Sequence, residues 1–169
     1  MKKHFLAASC AALLLLAGCA FVAAREDAPP EGAYQVYYSA MRDEEAGAAV
    51  GWVWRVPPGS GETAPALMAA LLARPEEPGL SSPFPAGVRL LSWSLEEGQL
   101  RLDLSEQYGN LSGVDLTLAD LCITLTYCQL EEVESVYITV EGREIPYRGA
   151  QVLRAGDVLL PPTEELPAP

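Results

Sequence analysis

The chain has 169 residues and carries 23 acidic against 11 basic side chains, a net charge of −12 at neutral pH. That length buries one real core rather than two, and the acidity repels phosphate backbones and anionic headgroups, which excludes nucleic acid as a natural partner.

The chain opens on Lys2 and Lys3, runs through the apolar stretch Ala11 to Leu16, and reaches Leu16-Ala17-Gly18-Cys19. This arrangement resembles a lipobox: a positive start, an apolar run short of the roughly 20 residues that span a bilayer, and small residues before a cysteine. Residues 1–18 are therefore expected to be a lipoprotein signal peptide. Cys19 becomes the lipidated first residue of the mature protein, and the membrane is its partner through that lipid, on the extracytoplasmic face. A diacylglyceryl group supplies the two chains that stable anchoring requires. Cleavage also removes Lys2, Lys3 and His4, the only lysines and the only histidine, leaving nine arginines and 23 carboxylates, a balance of −14. Without an imidazole or an amine there is no triad base, no histidine metal ligand, no phosphate-gripping lysine and no Schiff-base nucleophile.

Residues 19–32, with Arg25, Glu26, Asp27, Pro29 and Pro30 but no apolar period, read as the lipidated cysteine and a flexible tether. A single domain is expected over residues 33–157. Its first strand is Tyr34 to Tyr38, followed by an acidic loop through Asp43, Glu44 and Glu45. From Val50, the alternation of Val50, Trp52, Trp54 and Val56 with Gly51, Val53 and Arg55 has the period of a strand, stopped by Pro57-Pro58-Gly59. A helix follows, with Thr63 as cap, Pro65 in the first turn, Leu67, Met68, Leu71 and Leu72 as apolar face, and Pro75 ending it. Beyond the Pro/Ser/Gly-rich stretch Pro75 to Gly87, Leu91, Trp93 and Leu95 alternate with serines, turn at Glu96-Glu97-Gly98-Gln99, and return as Leu100, Leu102 and Leu104. This is a hairpin with one dry face.

A second helix is expected after Gly109, with Ser112 and Asp115 spaced as a capping box and Val114, Leu118, Leu121, Leu125 and Cys128, with Cys122 beside them, as the core-facing stripe. Val136, Ile138 and Val140 make a further strand turning at Gly142, and Ile145 to Leu153 continues as irregular or edge β structure. Residues 158–169, crowded with proline and glutamate, read as a disordered tail. The order strand, strand, helix, strand, strand, helix, strand (ββαββαβ) defines an α+β fold, a mixed or antiparallel sheet covered on one face by two helices.

Cys122 and Cys128 lie about 240° apart around a helix, cannot bridge within it, and are expected as packed thiols. Glu96, Glu97, Asp103, Glu106, Asp115 and Asp120 are the carboxylates available for glycan hydrolysis. That reaction needs two carboxyl groups roughly 5 to 9.5 Å apart across a cleft; turn, strand and cap positions account for Glu96, Glu97, Asp103 and Asp115 without it. The Asp43-Glu44-Glu45 loop lacks the glycine-spaced oxygen ligands of a calcium site. Trp52 and Trp54 share a strand face, where core packing is expected over a sugar platform or partner contact. Tyr34, Tyr37, Tyr38 and Tyr137 suit core and interface alike. No catalytic residue, metal or cofactor is expected.

Leu67 to Pro78, Ser82-Pro83-Phe84-Pro85-Ala86-Gly87, Leu90-Leu91-Ser92, Asp103-Leu104-Ser105, Ile123-Thr124-Leu125-Thr126 and Val133 to Gly142 occur in an order and spacing that resemble the GerMN domain, over roughly Tyr34 to Asp157. The resemblance implies an envelope lipoprotein of sporulation or spore germination. Its domain would be similar to the ring-building modules of sporulation membrane complexes and would act by contacting other proteins. A different class of function would be binding of cell-wall glycan or peptide in a groove lined by Trp52, Trp54 or Pro75 to Gly87.

Overall fold

A computed structural model describes residues 29–40, 50–57 and 61–158. Cys19, the signal segment, most of the tether, the Asp43-Glu44-Glu45 loop and residues 159–169 of the tail lie outside the described residues. The elements are β1 (Tyr34–Ala40), β2 (Val50–Arg55), α1 (Thr63–Leu72), β3 (Leu80–Ser81), β4 (Leu90–Glu96) and β5 (Gln99–Leu104). A 3-10 turn (Glu106–Asn110), α2 (Gly113–Tyr127), β6 (Ser135–Val140), β7 (Val152–Leu153) and α3 (Ala155–Val158) follow.

The α+β class holds, but the strands form two sheets rather than one. The smaller is antiparallel in the order β2-β1-β3, and the larger is mixed, in the order β4-β5-β6-β7. In the larger sheet β4 and β5 form the hairpin, β5 and β6 run parallel, and β7 returns antiparallel on the far edge. Two parallel strands cannot be joined by a tight turn, so the chain crosses over through α2. β3, which emerges from the Pro75 to Gly87 stretch, the 3-10 turn and α3 fall outside the ββαββαβ order, while β7 is edge structure within the expected Ile145 to Leu153 segment. The core gathers Val36 and Tyr38 of β1, Leu67, Met68 and Leu71 of α1, Leu100, Leu102 and Leu104 of β5, Val136 and Ile138 of β6, and Ile123 and Tyr127 of α2.

Helix α2 turns a different face inward from the expected one. Val114 is 66% exposed, and Leu118, Leu121, Leu125 and Cys128 are only half-buried. The buried face is Leu116, Ala119, Asp120, Cys122, Ile123, Thr124, Thr126 and Tyr127. Counting apolar residues misses it because Asp120, Thr124 and Thr126 sit in the core with their hydrogen bonds made, which removes the cost of burying them. Caps differ as well. Thr63 is the first helical residue of α1 rather than its cap, and Ser112, though at the cap position of α2, makes no side-chain capping bond.

The hairpin turns on Glu97 (φ 48°) and Gly98 (φ 77°), the pair of positive φ values that a two-residue type I′ turn demands. Trp93 faces Leu102 and Leu95 faces Leu100, as the alternation predicts. The register slips between Leu90 and Ser92, so Leu91 is a bulge residue and stands out of the dry face, 43% exposed.

Side chains close two of the open strand edges. Gln129 Nε2 donates to Gln35 O at 2.7 Å and its Oε1 accepts from Gln35 N at 2.9 Å, while Thr126 Oγ1 accepts from Tyr37 N at 3.1 Å. Gln129 and Thr126 thus stand in for a neighbouring strand along β1. On β6, β7 pairs with Val136 and Tyr137, Arg148 Nη1 donates to Ile138 O at 2.9 Å, and Arg143 exchanges backbone bonds with Val140.

Candidate interaction surfaces

The register of β1 with β2 decides where the tryptophans go. Gly51 and Val53 lie opposite Tyr38 and Val36, the fully buried residues of β1, so Trp52 and Trp54, opposite Tyr37 and Gln35, stand on the reverse face. Trp52 is 42% exposed and Trp54 half-buried, which corrects the expectation of core burial. Their rings meet edge to face, 5.1 Å between centroids and 72° between planes. Such a pair offers no flat platform for a sugar ring. The Pro75 to Gly87 stretch supplies β3 to the smaller sheet and sets Phe84 6.3 Å from Tyr108.

The tyrosines divide by environment. Tyr38 is fully buried and donates to Ala70 O at 2.7 Å, and Tyr127 donates to Ala64 O at 2.6 Å, so two phenols pin α1 near both its ends. Tyr34 is half-buried against the core, and Tyr37 donates to Gln35 Oε1 at 2.9 Å. Tyr137 donates to Glu144 Oε1 at 2.5 Å, with the Arg101 guanidinium 5.1 Å above its ring.

The candidate carboxylates do not converge. Glu96, Glu97, Glu106 and Asp115 are exposed at the hairpin turn, the 3-10 turn and the start of α2. Asp103 accepts from Thr139 Oγ1 and from Gly142 N, both at 2.7 Å, and so holds the turn that follows β6. Asp120 is buried. Its carboxylate takes Arg148 Nε at 2.9 Å, Arg148 Nη2 at 2.7 Å and the Tyr108 hydroxyl at 2.6 Å. Burial pushes the Asp120 carboxyl up from its ordinary range, opposed by Arg148 and by the Tyr108 hydroxyl, and every bond of the group points at protein. Arg148 was not singled out from the sequence; 28 residues separate it from Asp120, and no local pattern marks such a pair.

Cys122 is buried and Cys128 half-buried, both as free thiols. Desolvation raises the Cys122 thiol to about 12, which leaves it protonated and unreactive at neutral pH. Among the described residues no cluster of three or more histidine, cysteine, aspartate or glutamate side chains is placed to hold a metal ion, and no helix is long and apolar enough to cross a membrane.

Two recesses stand out among the described residues. One, of about 690 Å³, lies beside the hairpin turn among Glu96, Glu97, Arg101, Glu134 and Arg154 and is charged with both signs. The other, of about 410 Å³, runs between α1 and β4. Pro65, Met68, Ala69 and Leu72 form its helical wall, Leu90, Leu91 and Trp93 face them from the strand, and Arg89 is its single charged side chain. Ser92 and Ser94 alternate with Leu91, Trp93 and Leu95 on β4 while α1 presents methyl and thioether groups, so the local sequence makes this groove apolar. Sequence reasoning missed it because α1 and β4 meet only in three dimensions.

The surfaces define a small α+β domain whose distinctive features are an apolar groove and an exposed aromatic pair rather than an acid–base centre. The Germane family, described as sporulation and spore germination, matches residues 35–146, and the chain belongs to that family. Its fold is similar to the first GerMN domain of the sporulation protein GerM from Bacillus subtilis, with 18% identity and a TM-score of 0.61 over 74% of this chain and 98% of that one. It is also similar to the tandem GerMN domains of the same protein, with 23% identity and a TM-score of 0.55 over 67% of this chain and 40% of that one. No curated protein matches.

Proposed function

We propose that this chain is a non-catalytic interaction module, held by a lipid on Cys19 at the extracytoplasmic face of the cell membrane, that joins protein assemblies of sporulation or spore germination. The observation that carries the reading is the pairing of an apolar, weakly charged groove with carboxylates that are either exposed at turns or committed to structural bonds. Apolar recesses with one or two polar groups serve recognition, whereas hydrolysis needs two facing carboxyl groups. Membership of a family described as sporulation and spore germination supports the process, and the Leu16 to Cys19 pattern supports the anchor.

The experiment is proximity cross-linking with mass spectrometry in the native host, comparing wild type with Cys19→Ala in growing and sporulating cells. Wild type is expected to capture membrane-assembly proteins during sporulation, and the unanchored variant to lose them. Capture of wall material alone, or identical behaviour in every growth phase, contradicts the reading.

A further inference from the structure

The fold treats its open strand edges unequally. Thr126 of α2 and Gln129 just beyond it close β1, and β7, Arg148 and Arg143 close β6, yet β4 ends the larger sheet and, like β2 in the smaller one, pairs with a single strand among the described residues. Free edges are usually guarded by lysine, proline, an inward-pointing charge or a β-bulge, and of these β4 carries only its bulge between Leu90 and Ser92. The strand Leu90–Glu96 reads LLSWSLE and contains no charge before its last residue. Its bulge turns Leu91 outward at the groove instead of hiding it.

Edge and groove adjoin. A strand laid along β4 would find main-chain partners at the edge and set every second side chain against Met68, Leu72 and Trp93. Arg89, at the start of β4, is held in place through its backbone, donating to Ser105 Oγ at 2.9 Å and accepting from Ser105 N at 2.9 Å. Its side chain is exposed and forms no ion pair among the described residues. In a chain of net charge −12 it is a local positive point that complements a carboxylate.

We infer that the α1–β4 groove is a docking site for an extended segment of a partner protein, apolar at alternate positions and carrying a carboxylate opposite Arg89, which adds to β4 as a further strand. The inference rests on the reading of the chain as an interaction module and assigns that module its surface.

The test selects random displayed peptides of about ten residues, long enough to cover one strand, against the full chain purified from host membranes. A synthetic peptide of the enriched sequence is then titrated by calorimetry. The enriched peptides are expected to alternate apolar residues and to carry Asp or Glu near one end. Binding is expected to weaken about tenfold or more in Arg89→Glu and in Leu91→Asp, and to vanish when a central peptide amide is N-methylated. The indole N–H resonance of Trp93 should move while those of Trp52 and Trp54 stay. Both substituted side chains are exposed, so unchanged circular dichroism checks the fold, and a lysine-for-glutamate peptide should regain affinity for Arg89→Glu. Absence of any enriched sequence, or equal binding to wild type and both variants, overturns the proposal. If Arg89→Glu and Leu91→Asp leave the cross-linked partners of the native protein unchanged, the groove assignment falls while the module reading stands. If wild type cross-links no protein yet binds the peptide as expected, the module reading falls and the groove stands.

Discussion

Asp120 and Arg148 show how a polar residue becomes core. Each alone would be costly to bury; together, with Tyr108 and the Ile138 carbonyl, they leave little capacity unmet. Neutral groups in the same interior respond to alkali in one direction. Burial raises the phenols of Tyr108 and Tyr127 and lifts the Cys122 thiol to about 12. In the unfolded chain the same thiol and phenols ionise near about 8.5 and 10. As pH rises the unfolded state loses protons first, so the stability from these groups is complete below about 8.5 and drains away as pH climbs through the folded values. The Tm is therefore expected to hold steady near neutrality and fall above about pH 9, with a shallower fall in Cys122→Ala; a flat alkaline profile contradicts this.

Element by element, alternation located the strands and gave the buried face of β5 and β6, but in β2 the bulky alternate residues Trp52 and Trp54 stand on the outer face. Leu100, Leu102 and Leu104 lie buried as their period predicts, and Val136 and Ile138 join them from the parallel neighbour. Leu91 escaped because a bulge changes parity without leaving a mark in composition. The join between β1 and the turn after α2 is equally silent in sequence, since Gln129 and Gln35 are 94 residues apart. Replacing Gln129 with alanine removes both of its bonds to Gln35. The Gln35 amide is then expected to exchange with deuterium roughly five- to tenfold faster, a loss of about 1 kcal/mol in local stability, with β5 amides unaffected. Uniform acceleration across both sheets would show instead that Gln129 supports the whole fold.

For the molecule as a whole, Arg148 fastens the segment after β6 to α2, to the 3-10 turn through Asp120 and Tyr108, and to the edge of β6. Arg148→Met strands a buried carboxylate and is expected to lower unfolding stability by roughly 3–5 kcal/mol in urea, with Ile145 to Leu153 becoming the first site of proteolysis. The double change Arg148→Met with Asp120→Leu is expected to recover much of that loss, because it removes the unpaired charge. A double variant no better than the single one would place the cost in lost packing. By itself the sequence determined the α+β class, the principal strands and helices, and membership of one family, because periodicity and turn chemistry are local and motif order survives in the chain. Tertiary structure alone decided the rest. The division into two sheets, the outward tryptophans, the true face of α2, the Asp120–Arg148 pair and the α1–β4 groove all depend on which distant backbone lies alongside, and register and helix rotation are settled by packing between elements rather than within them.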